Sequence, residues 1–370
     1  MQNSSKIWNE IIYKTNLHVN EVYTEKQISK YTKQLQILNN IAYFYACDAL
    51  RELGSFDSMN TVKSVNEILT ESKIPDKYKK SLIRILNMCA EYGLLLNVNN
   101  NRYSRINIWP IDPLINNLEN IQSFFYDEKQ LLDFVIQHGR SLPNILRGKI
   151  HAAELLFTGG TMSVATEIYT KTPPFKYCNN IASISLEVIS KYHSKNKSLR
   201  VIEIGAGTGA TTDYVIKNIK DKISLYLFTD ISNFFLLSAR KRFINLSFMQ
   251  YCLLDIETPP DICLKDSFDI VIAAHVLHAT KRIDETLTNV HSLLVDSGFL
   301  ILLEETSIQP FFNVTMGMQS GFDRFEDTSI RKTHPLLNSR QWKDAILKSG
   351  FQNYFDLPEI MGIRPIIIQK

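Results

Sequence analysis

Cysteine is scarce in this sequence of 370 residues, and its placement suits neither a disulfide framework nor a metal centre. The five cysteines are Cys47, Cys89, Cys178, Cys252 and Cys263, and no two of them stand in a CxxC pattern. Scattered thiols in a chain of this length are typical of reduced side chains packed inside a cytoplasmic protein. The sequence therefore predicts a cytoplasmic location and offers no cysteine nucleophile.

Long apolar runs and an excess of one charge are also missing. No apolar run approaches the ~20 residues that a membrane-spanning helix needs, and residues 1–10 lack the basic and then apolar pattern of a signal peptide. The 41 lysines and arginines nearly balance the 38 aspartates and glutamates, which leaves a formal charge of +3. Such a balance gives no indication of nucleic-acid or membrane binding, so we expect neither among the partners.

Two regions with different apolar patterns meet near residue 190. Residues 24–53 and 78–92 carry apolar residues at helical spacing, and two short strands around an Asn-rich turn at residues 99–101 are predicted after the second helix. Helices followed by a hairpin suggest a winged-helix-like module, here about residues 24–105. We therefore predict a mostly helical lid or substrate domain over residues 1–190, with a packing, lid or dimerisation role ahead of DNA binding.

A pair of prolines, Pro173 and Pro174, interrupts the helical pattern near the end of this first region. Because proline breaks a helix interior, residues 168–180 are predicted to form a loop that runs into another helix. Two tyrosines, Tyr169 and Tyr177, flank the prolines. The residues alone are consistent with tyrosines that pack on the surface.

The second region, residues 191–370, contains short apolar runs separated by stretches of helix length. The runs read SLRVIEI, ISLYLFTD, FMQYCLLD, FDIVIAA and FLILLEE. Runs of this length that alternate with helices are typical of a doubly wound α/β sheet whose parallel strands are buried on both faces. The final runs, FQNYFDL and IRPIIIQK, predict an antiparallel pair that closes the sheet. The sequence thus predicts an α/β core with a seven-stranded sheet.

A glycine-rich loop follows the first of these strands. Gly205, Gly207 and Gly209 form a GxGxG pattern directly between a strand and a helix. Glycine allows a tight turn and lets the backbone approach a ligand that faces the helix N-terminus. This loop alone is a weak signal, because dinucleotide-binding proteins share it.

Acidic residues near the ends of three successive strands narrow the choice of ligand. Glu203, just before the glycine loop, suits a positively charged amino group and would repel a pyrophosphate. Asp230 lies where a carboxylate can accept hydrogen bonds from ribose hydroxyls. Asp255 and Ile256 suit an adenine amino group and an apolar ring face. S-adenosylmethionine combines adenosine with an amino acid and has no phosphate, so these residues predict it as the cofactor; acidic side chains that only cap loops are the alternative.

Several segments closely resemble the C-methyltransferase domains of polyketide synthases. The core segments are VIEIGAGTGATT, LFTDIS, FDIVIAAHVLHAT and ILLEET, and the segments LLFTGG and IYTKTPPFKY resemble that family's lid. The pairing of VLHAT with LLEET is far more specific than the glycine loop. The resemblance implies the class I methyltransferase (Rossmann-like) fold with a helical N-terminal lid. It also implies methylation of the α-carbon of an acyl group that an acyl carrier protein holds as a phosphopantetheine thioester.

Carbon methylation requires a base near the donor methyl group, and two residues are placed to supply it. His278 follows the fourth strand and Glu304 ends the fifth, at the carboxyl edge of the sheet where ligands bind. The resemblance implies a His–Glu catalytic dyad, which at the matching positions is His278 as base and Glu304 as the carboxylate that orients it. The residues alone leave open a solvent-facing His278, a solvated Glu304 and an inward-facing Glu305.

The two tyrosines that flank the prolines fall where lid and core meet in the family that this chain resembles. The resemblance implies that Tyr169 lies near the acceptor, where its hydroxyl could hydrogen-bond an enolate oxygen. It implies that Tyr177 lies near the cofactor.

Two departures from the family pattern suggest a metal-assisted alternative. His275 stands where the family commonly has Asn, and the stretch MGMQSGFDRFED replaces a region usually rich in Trp. A subset of starter-unit methyltransferases in loading modules resembles this variation and uses a divalent metal. For this chain, it implies His275 and Gln319, with His278 as a further candidate, as ligands for Fe(II) or Mn(II) around a malonyl-type acceptor. The alternative is that His275 contacts the methionine part of the cofactor and Gln319 lines the acceptor pocket.

Further polar residues are predicted around the acceptor. Asp323 and Arg324 belong to the same stretch as Gln319, and Arg331 and His334 follow it. The basic residues could hold an acidic acceptor or the phosphopantetheine phosphate, and surface ion pairs are equally consistent with them.

Methylation on oxygen is the second enzymatic hypothesis. Many small-molecule O-methyltransferases combine a winged-helix module with the same core and a catalytic histidine, so the fold cannot separate the two reactions. The pairing of VLHAT with LLEET favours carbon.

Overall fold

The computed structural model describes residues 2–99, 101–115, 117–192 and 198–370. Asn100, in the predicted hairpin turn, lies outside the described residues. The α-helices are α1 (Gln2–Val22), α2 (Glu25–Glu52), α3 (Val65–Glu71), α4 (Lys79–Glu91), α5 (Leu118–Phe124), α6 (Lys129–Leu146), α7 (Ala152–Leu156), α8 (Ser163–Lys171), α9 (Pro173–Tyr192), α10 (Ala210–Ile219), α11 (Asn233–Arg242), α12 (Ile283–Leu293), α13 (Pro310–Val314) and α14 (Ser339–Lys348). The strands are β1 (Val62–Ser64), β2 (Leu95–Asn99), β3 (Arg102–Arg105), β4 (Leu199–Ile204), β5 (Ile223–Asp230), β6 (Met249–Leu253), β7 (Phe268–Ala274), β8 (Leu294–Glu305), β9 (Asn353–Asp356) and β10 (Ile363–Gln369).

The chain divides into two compact units that are not contiguous in sequence. The core unit comprises Met1–Ser29, Thr166–Ser307 and Arg324–Lys370, and the helical unit comprises Lys30–Ala165 and Ile308–Asp323. This division differs from the predicted boundary at residue 190, because α1 and α9 belong to the core unit. The physical reason is packing: α9 contacts α1, α10 and β10, and most of its side chains are buried.

The core unit is built on one seven-stranded sheet with the order β6-β5-β4-β7-β8-β10-β9. The strands β4 to β8 run parallel, and β10 pairs antiparallel with both β8 and β9. The parallel arrangement and the closing antiparallel pair are therefore confirmed. The apolar runs explain the arrangement, since β7 is buried along nearly its whole length, as a strand covered on both faces must be.

The carboxyl ends of β4, β5, β6 and β7 meet at one edge of this sheet, because parallel strands share a direction. The register between β7 and β8 pairs Ala274 with Leu303. Glu304 and Glu305, the next residues of β8, consequently lie level with the turn that follows β7. This register brings the two glutamates to the turn that carries His275 and His278.

The proline pair begins a helix instead of forming a loop, so the loop predicted for residues 168–180 is wrong. Helix α8 extends to Lys171, and α9 starts at Pro173. The first-turn N–H groups of a helix have no partner within it, and the fixed φ of proline suits this position. The prolines therefore separate two consecutive helices with only Thr172 between them.

The helical unit contains the predicted helices and hairpin. This unit holds α2 from Lys30 onward and all of α4, and both helices lie within the stretches predicted as helices. Strands β2 and β3 form the predicted antiparallel hairpin. Strand β1 was not predicted and pairs with β3, which gives the order β1-β3-β2. Ser64 ends β1 and starts α3 through a capping box, in which its side chain accepts from the Glu67 N–H and Glu67 accepts from the Ser64 N–H. Across the described ranges, no helix is both long and apolar enough to cross a membrane.

Candidate active site

A cavity of about 620 Å³ in the core unit runs across the carboxyl ends of four strands. Its lining comes from the turns after β4, β5, β6 and β7, which is where an open α/β sheet binds ligands. The predicted cofactor-binding residues that line it are Gly205, Gly207, Asp230, Asp255, Ile256 and His275.

The turn after β4 requires glycine at position 205. Gly205 has φ +59, and a Cβ atom there would lie 2.5 Å from Cγ2 of Val276, closer than real Cβ contacts come. Glycine tolerates this backbone conformation and leaves room for Val276. The turn after β4 therefore packs directly against the turn after β7, and both line the cavity.

Asp230 is fixed by the backbone of the same edge. Its carboxylate accepts hydrogen bonds from the N–H of Gly207 at 3.0 Å and from the N–H of Ser232 at 2.8 Å. Burial raises the pKa of Asp230, and these backbone hydrogen bonds oppose that rise. The carboxylate thus lines the cavity in a fixed orientation, as a group that accepts from ribose hydroxyls should.

The far end of the cavity follows β6. Asp255 is exposed there and accepts from the N–H of Glu257 at 3.0 Å, whereas Ile256 is 4% exposed and offers an apolar wall. Glu257 forms an ion pair with Arg324, which also lines the cavity. Arg324, predicted near the acceptor, thus lies beside Asp255 and Ile256.

Glu203 does not line the cavity, and the prediction that it meets an amino group of the ligand is wrong for this geometry. Its side chain is 1% exposed, and its carboxylate accepts from the hydroxyls of Thr212 and Tyr226, both at 2.5 Å. Burial raises the pKa of Glu203 to about 7, and the two hydrogen bonds oppose that rise. Glu203 is a buried group that ties β4 to α10 and β5.

His278 and Glu304 form the predicted pair. The Nδ1 atom of His278 lies 2.5 Å from Oε2 of Glu304, and Oε1 of Glu304 accepts from the N–H of Leu277 at 2.8 Å. His278 is 6% exposed and Glu304 is fully buried, so the solvent-facing alternatives are wrong. Burial opposes the charged imidazole, but the charge and hydrogen bond of Glu304 outweigh it, and the pKa of His278 is raised.

Glu305 forms a second pair, with His275, that was not predicted from the sequence. Its Oε1 lies 2.9 Å from Nδ1 of His275, and its Oε2 lies 3.5 Å from Nδ1 of His278. Burial raises the pKa of Glu305, but His275 and His278 outweigh this, and the net pKa is lowered. The spacing HVLH beside LLEE was the available signal, because it places two histidines of one turn opposite two successive glutamates.

The two predicted tyrosines have different environments. The ring of Tyr169 lies 6.2 Å from the ring of His275, and burial, with the charge of Glu305, raises the pKa of Tyr169. Tyr177 is fully buried, its hydroxyl donates to the carbonyl of Pro358 at 3.0 Å, and it does not line the cavity. The structure therefore brings Tyr169 to the histidine turn and places Tyr177 in core packing, which corrects its prediction as a cofactor contact.

Arg331 supports the turn that carries His278. Its guanidinium donates to the carbonyls of His278 and Thr280 at 2.8 Å and of Lys281 at 2.9 Å, and it pairs with Asp327 at 2.6 Å. Arg331 is 1% exposed and its hydrogen bonds are made within the protein. The prediction that it holds an acidic acceptor is therefore wrong.

The predicted metal ligands belong to different units, with His275 in the core unit and Gln319 in the helical unit. A shared metal at this pair therefore stays a prediction. Asp323, predicted in the acceptor pocket, forms an ion pair with Arg84 within the helical unit. Within the described part of the chain, donor atoms of His278, Glu304 and Glu305 lie within 4.8 Å of one another, close enough to share one ion.

Residues 202–300 match the family model described as a methyltransferase domain. The chain is 33% identical over 222 residues to the non-reducing polyketide synthase mapC of Penicillium brevicompactum, and 34% identical over 226 residues to the polyketide synthase PksM of Bacillus subtilis. These alignments cover 57% and 58% of this chain. The chain spans only 9% and 5% of the length of these two relatives.

Solved structures match over nearly the whole chain. The CurJ carbon methyltransferase is 26% identical with a TM-score of 0.90, and the match covers 99% of this chain and 98% of that one. The CMeT domain of the citrinin polyketide synthase is similar in fold, with 24% identity, a TM-score of 0.79 and coverage of 99% and 94%. The chain is therefore a methyltransferase with the class I fold, and it is similar in sequence and structure to carbon methyltransferase domains of polyketide synthases.

Proposed function

We propose that this protein transfers a methyl group from S-adenosylmethionine to the α-carbon of an acyl group that an acyl carrier protein holds as a thioester. The observation that carries the proposal is the buried pair of His278 and Glu304. Ala279 and Thr280, the two residues after His278, line the cavity, so the turn that carries the pair also borders the proposed ligand site. Both synthases compared above are named as polyketide synthases, which supports a carrier-bound acyl substrate.

The cavity residues suit S-adenosylmethionine. A volume of about 620 Å³ lies within the ~300–1,000 Å³ of ordinary small-molecule sites. Gly205 allows the backbone to face a ligand, Asp230 can accept from ribose hydroxyls, and Ile256 offers an apolar surface to a base. Three carboxylates line the cavity, those of Asp230, Asp255 and Glu257, and the arginine in the lining, Arg324, is already paired with Glu257. This excess of negative charge argues against a pyrophosphate in the same space.

The His278–Glu304 pair supplies the base that carbon methylation requires. A carboxylate at Nδ1 favours the tautomer with hydrogen on Nδ1, which leaves Nε2 as the atom that takes up the α-proton of the acyl group. Glu304 then stabilises the imidazolium that forms, in keeping with the raised pKa of His278. A cofactor held against Gly205, Asp230 and Ile256 would supply an electrophilic methyl group to the α-carbon that His278 deprotonates, and S-adenosylhomocysteine would be the thioether that leaves.

Intact-mass measurements test this proposal. The protein is incubated with S-adenosylmethionine and malonyl-, methylmalonyl- or acetoacetyl-carrier protein, and the expected product gains the mass of one methylene group per transfer. His278→Ala should lower turnover by ~10²–10⁴-fold, the usual contribution of a general base, while S-adenosylhomocysteine still binds.

The matched control is His151→Gln, since His151 is exposed in the helical unit, and it should keep wild-type turnover. Glu304→Gln should fall between the two variants. Near-wild-type turnover of His278→Ala would remove the base from the proposal, and methyl groups that are released by base hydrolysis of the product would point to oxygen as the acceptor.

A further inference from the structure

The buried position of Glu203 leaves the amino group of the proposed cofactor without its predicted partner. Asp230 and Asp255 also line the cavity, but they follow β5 and β6, the strands on the far side of β4 from β7. If the nucleoside lies against these two carboxylates, its amino-acid part extends toward the turn after β7. Two side chains at that end of the lining have hydrogen-bonding atoms, His275 and Thr280. The hydroxyl of Thr280 already donates to the carbonyl of Leu277 and accepts from the hydroxyl of Thr286, so His275 is the better candidate.

His275 is held in one orientation. Its backbone has φ +58, an uncommon conformation for a residue other than glycine, and its N–H donates to the carbonyl of Leu303 at 2.8 Å. The ring packs edge-on against Phe175 at 4.7 Å, and Nδ1 lies 2.9 Å from Oε1 of Glu305. With Nδ1 committed to Glu305, Nε2 is the ring nitrogen that remains to meet a ligand.

The charges around this turn favour a cation. Glu304 and Glu305 are both at least nine-tenths buried, and both lie within 3.5 Å of a histidine nitrogen. Tyr169 and Cys178 also face these carboxylates, and neither adds a positive charge. Arg331 neutralises Asp327 in the same neighbourhood. The two buried carboxylates of Glu304 and Glu305 place negative charge near this end of the cavity, which attracts an ammonium group.

We infer that His275, oriented by Glu305, accepts a hydrogen bond at Nε2 from the α-ammonium group of the cofactor's methionine part, and that Glu305 supplies the balancing charge. Glu305 is then a positioning residue, whose carboxylate acts through the imidazole that it holds. The inference rests on the proposed function, because it takes S-adenosylmethionine as the ligand. It assigns the two glutamates of β8 to separate tasks, Glu304 to the base and Glu305 to the cofactor.

Binding of product analogues tests this inference without any turnover. Titration calorimetry compares S-adenosylhomocysteine with the analogue that lacks only the α-amino group and with the analogue that lacks only the α-carboxylate. The wild-type protein should bind the complete molecule at least tenfold more tightly than the deaminated analogue, as a hydrogen bond to a charged group allows. Glu305→Gln and His275→Asn should each reduce this preference by about tenfold and leave the affinity for the deaminated analogue unchanged.

The variants separate a binding role from a structural one. Asn tolerates positive φ, so His275→Asn keeps the backbone of the turn, and Glu203→Gln is the matched control that should retain the full preference. An equal loss of affinity for all three ligands in Glu305→Gln, or a lost preference in Glu203→Gln, would overturn the inference. If the variants instead lose only the preference for S-adenosylhomocysteine over the analogue that lacks the α-carboxylate, the inference is overturned as well, because His275 would then contact the carboxylate. A wild-type protein that binds none of the ligands would instead contradict the proposed function.

Discussion

At the scale of single residues, the buried carboxyl group of Glu203 should make the stability of this protein depend on pH. Its pKa of about 7 in the folded protein lies above the ~4.3 of an unfolded glutamate. The folded state therefore binds more protons between about pH 4 and pH 7, and the free energy of unfolding falls as the pH rises through that window. A rise of this size corresponds to a loss on the order of 3 kcal/mol by pH 8.

Glu203→Gln should remove this loss, since an amide can accept the same two hydroxyl hydrogen bonds and does not ionise. Urea unfolding at pH 5 and pH 8 measures the difference between variant and wild type. We expect the variant to gain stability relative to wild type as the pH rises, and the exposed control Asp221→Asn to show no such gain. Parallel pH profiles for wild type and Glu203→Gln would show that the carboxyl group is ionised in the folded state.

Gly205 and Gly207 provide a second prediction at this scale, because both have positive φ but differ in their surroundings. A Cβ at Gly205 would meet Val276 at 2.5 Å, whereas the nearest atom to a Cβ at Gly207 is 3.8 Å away. Gly205→Ala should thus carry backbone strain and a steric clash, and Gly207→Ala only strain, each strained conformation costing ~1–3 kcal/mol. Thermal unfolding should show a larger decrease in Tm for Gly205→Ala, and Val276→Ala should restore part of it in the double variant.

The position of a side chain at a strand end explains which site residues the sequence could predict. Asp230 and His278 end or follow a parallel strand, and all such positions reach the same sheet edge. Glu203 stands one residue before the end of β4, where the side chains alternate between two buried faces. An apolar run buried on both sides does not reveal which face meets the cavity, so the burial of Glu203 against Thr212 and Tyr226 was not predictable.

At the scale of elements, the turn between β7 and α12 is held by hydrogen bonds from the side chain of Arg331, which lies in a distant segment of the chain. Arg331 donates to the carbonyls of His278, Thr280 and Lys281, although it lies 50 to 53 residues away along the chain. Sequence spacing gives no sign of this contact, because the segment has no regular secondary structure that would fix its direction.

Arg331→Met should therefore affect both stability and the active site. Removing the guanidinium takes the donor from the carbonyls of His278 and Thr280 and leaves the buried carboxylate of Asp327 with the N–H of Ile283 but no countercharge, at a cost of ~3–5 kcal/mol. We expect a lower Tm and, because the turn carries His278, a decrease in kcat with a smaller change in KM. The exposed Arg340 of α14 offers the control Arg340→Met, which should change neither quantity. An Arg331→Met protein with wild-type kcat would show that the turn keeps its conformation without the hydrogen bonds of Arg331.

At the scale of the whole molecule, the sequence predicted the elements better than their grouping. The five parallel strands, the closing antiparallel pair and the helices before and after residue 190 follow from local apolar patterns. The grouping depends on which buried faces pack together. Helices α1 and α9 pack within the core unit, although both precede β4 in the sequence. A boundary drawn where the pattern changes therefore separates the sheet from helices that cover it.

A fragment of residues 191–370, cut at the predicted boundary, should accordingly fail to form a stable core. Helix α9 buries Ile181, Leu186 and Ile189, and each fully buried side chain of this kind contributes roughly 1.5–3 kcal/mol. Their loss, together with the exposed surfaces of α10 and β10, is comparable to the ~5–15 kcal/mol by which a whole domain is stable. A fragment of residues 166–370 retains α9 and lacks α1, so it should show intermediate stability in urea unfolding followed by circular dichroism. Binding of a hydrophobic dye should be strongest for the shorter fragment, and equal unfolding midpoints for the two fragments would mean that the sheet is stable without α9.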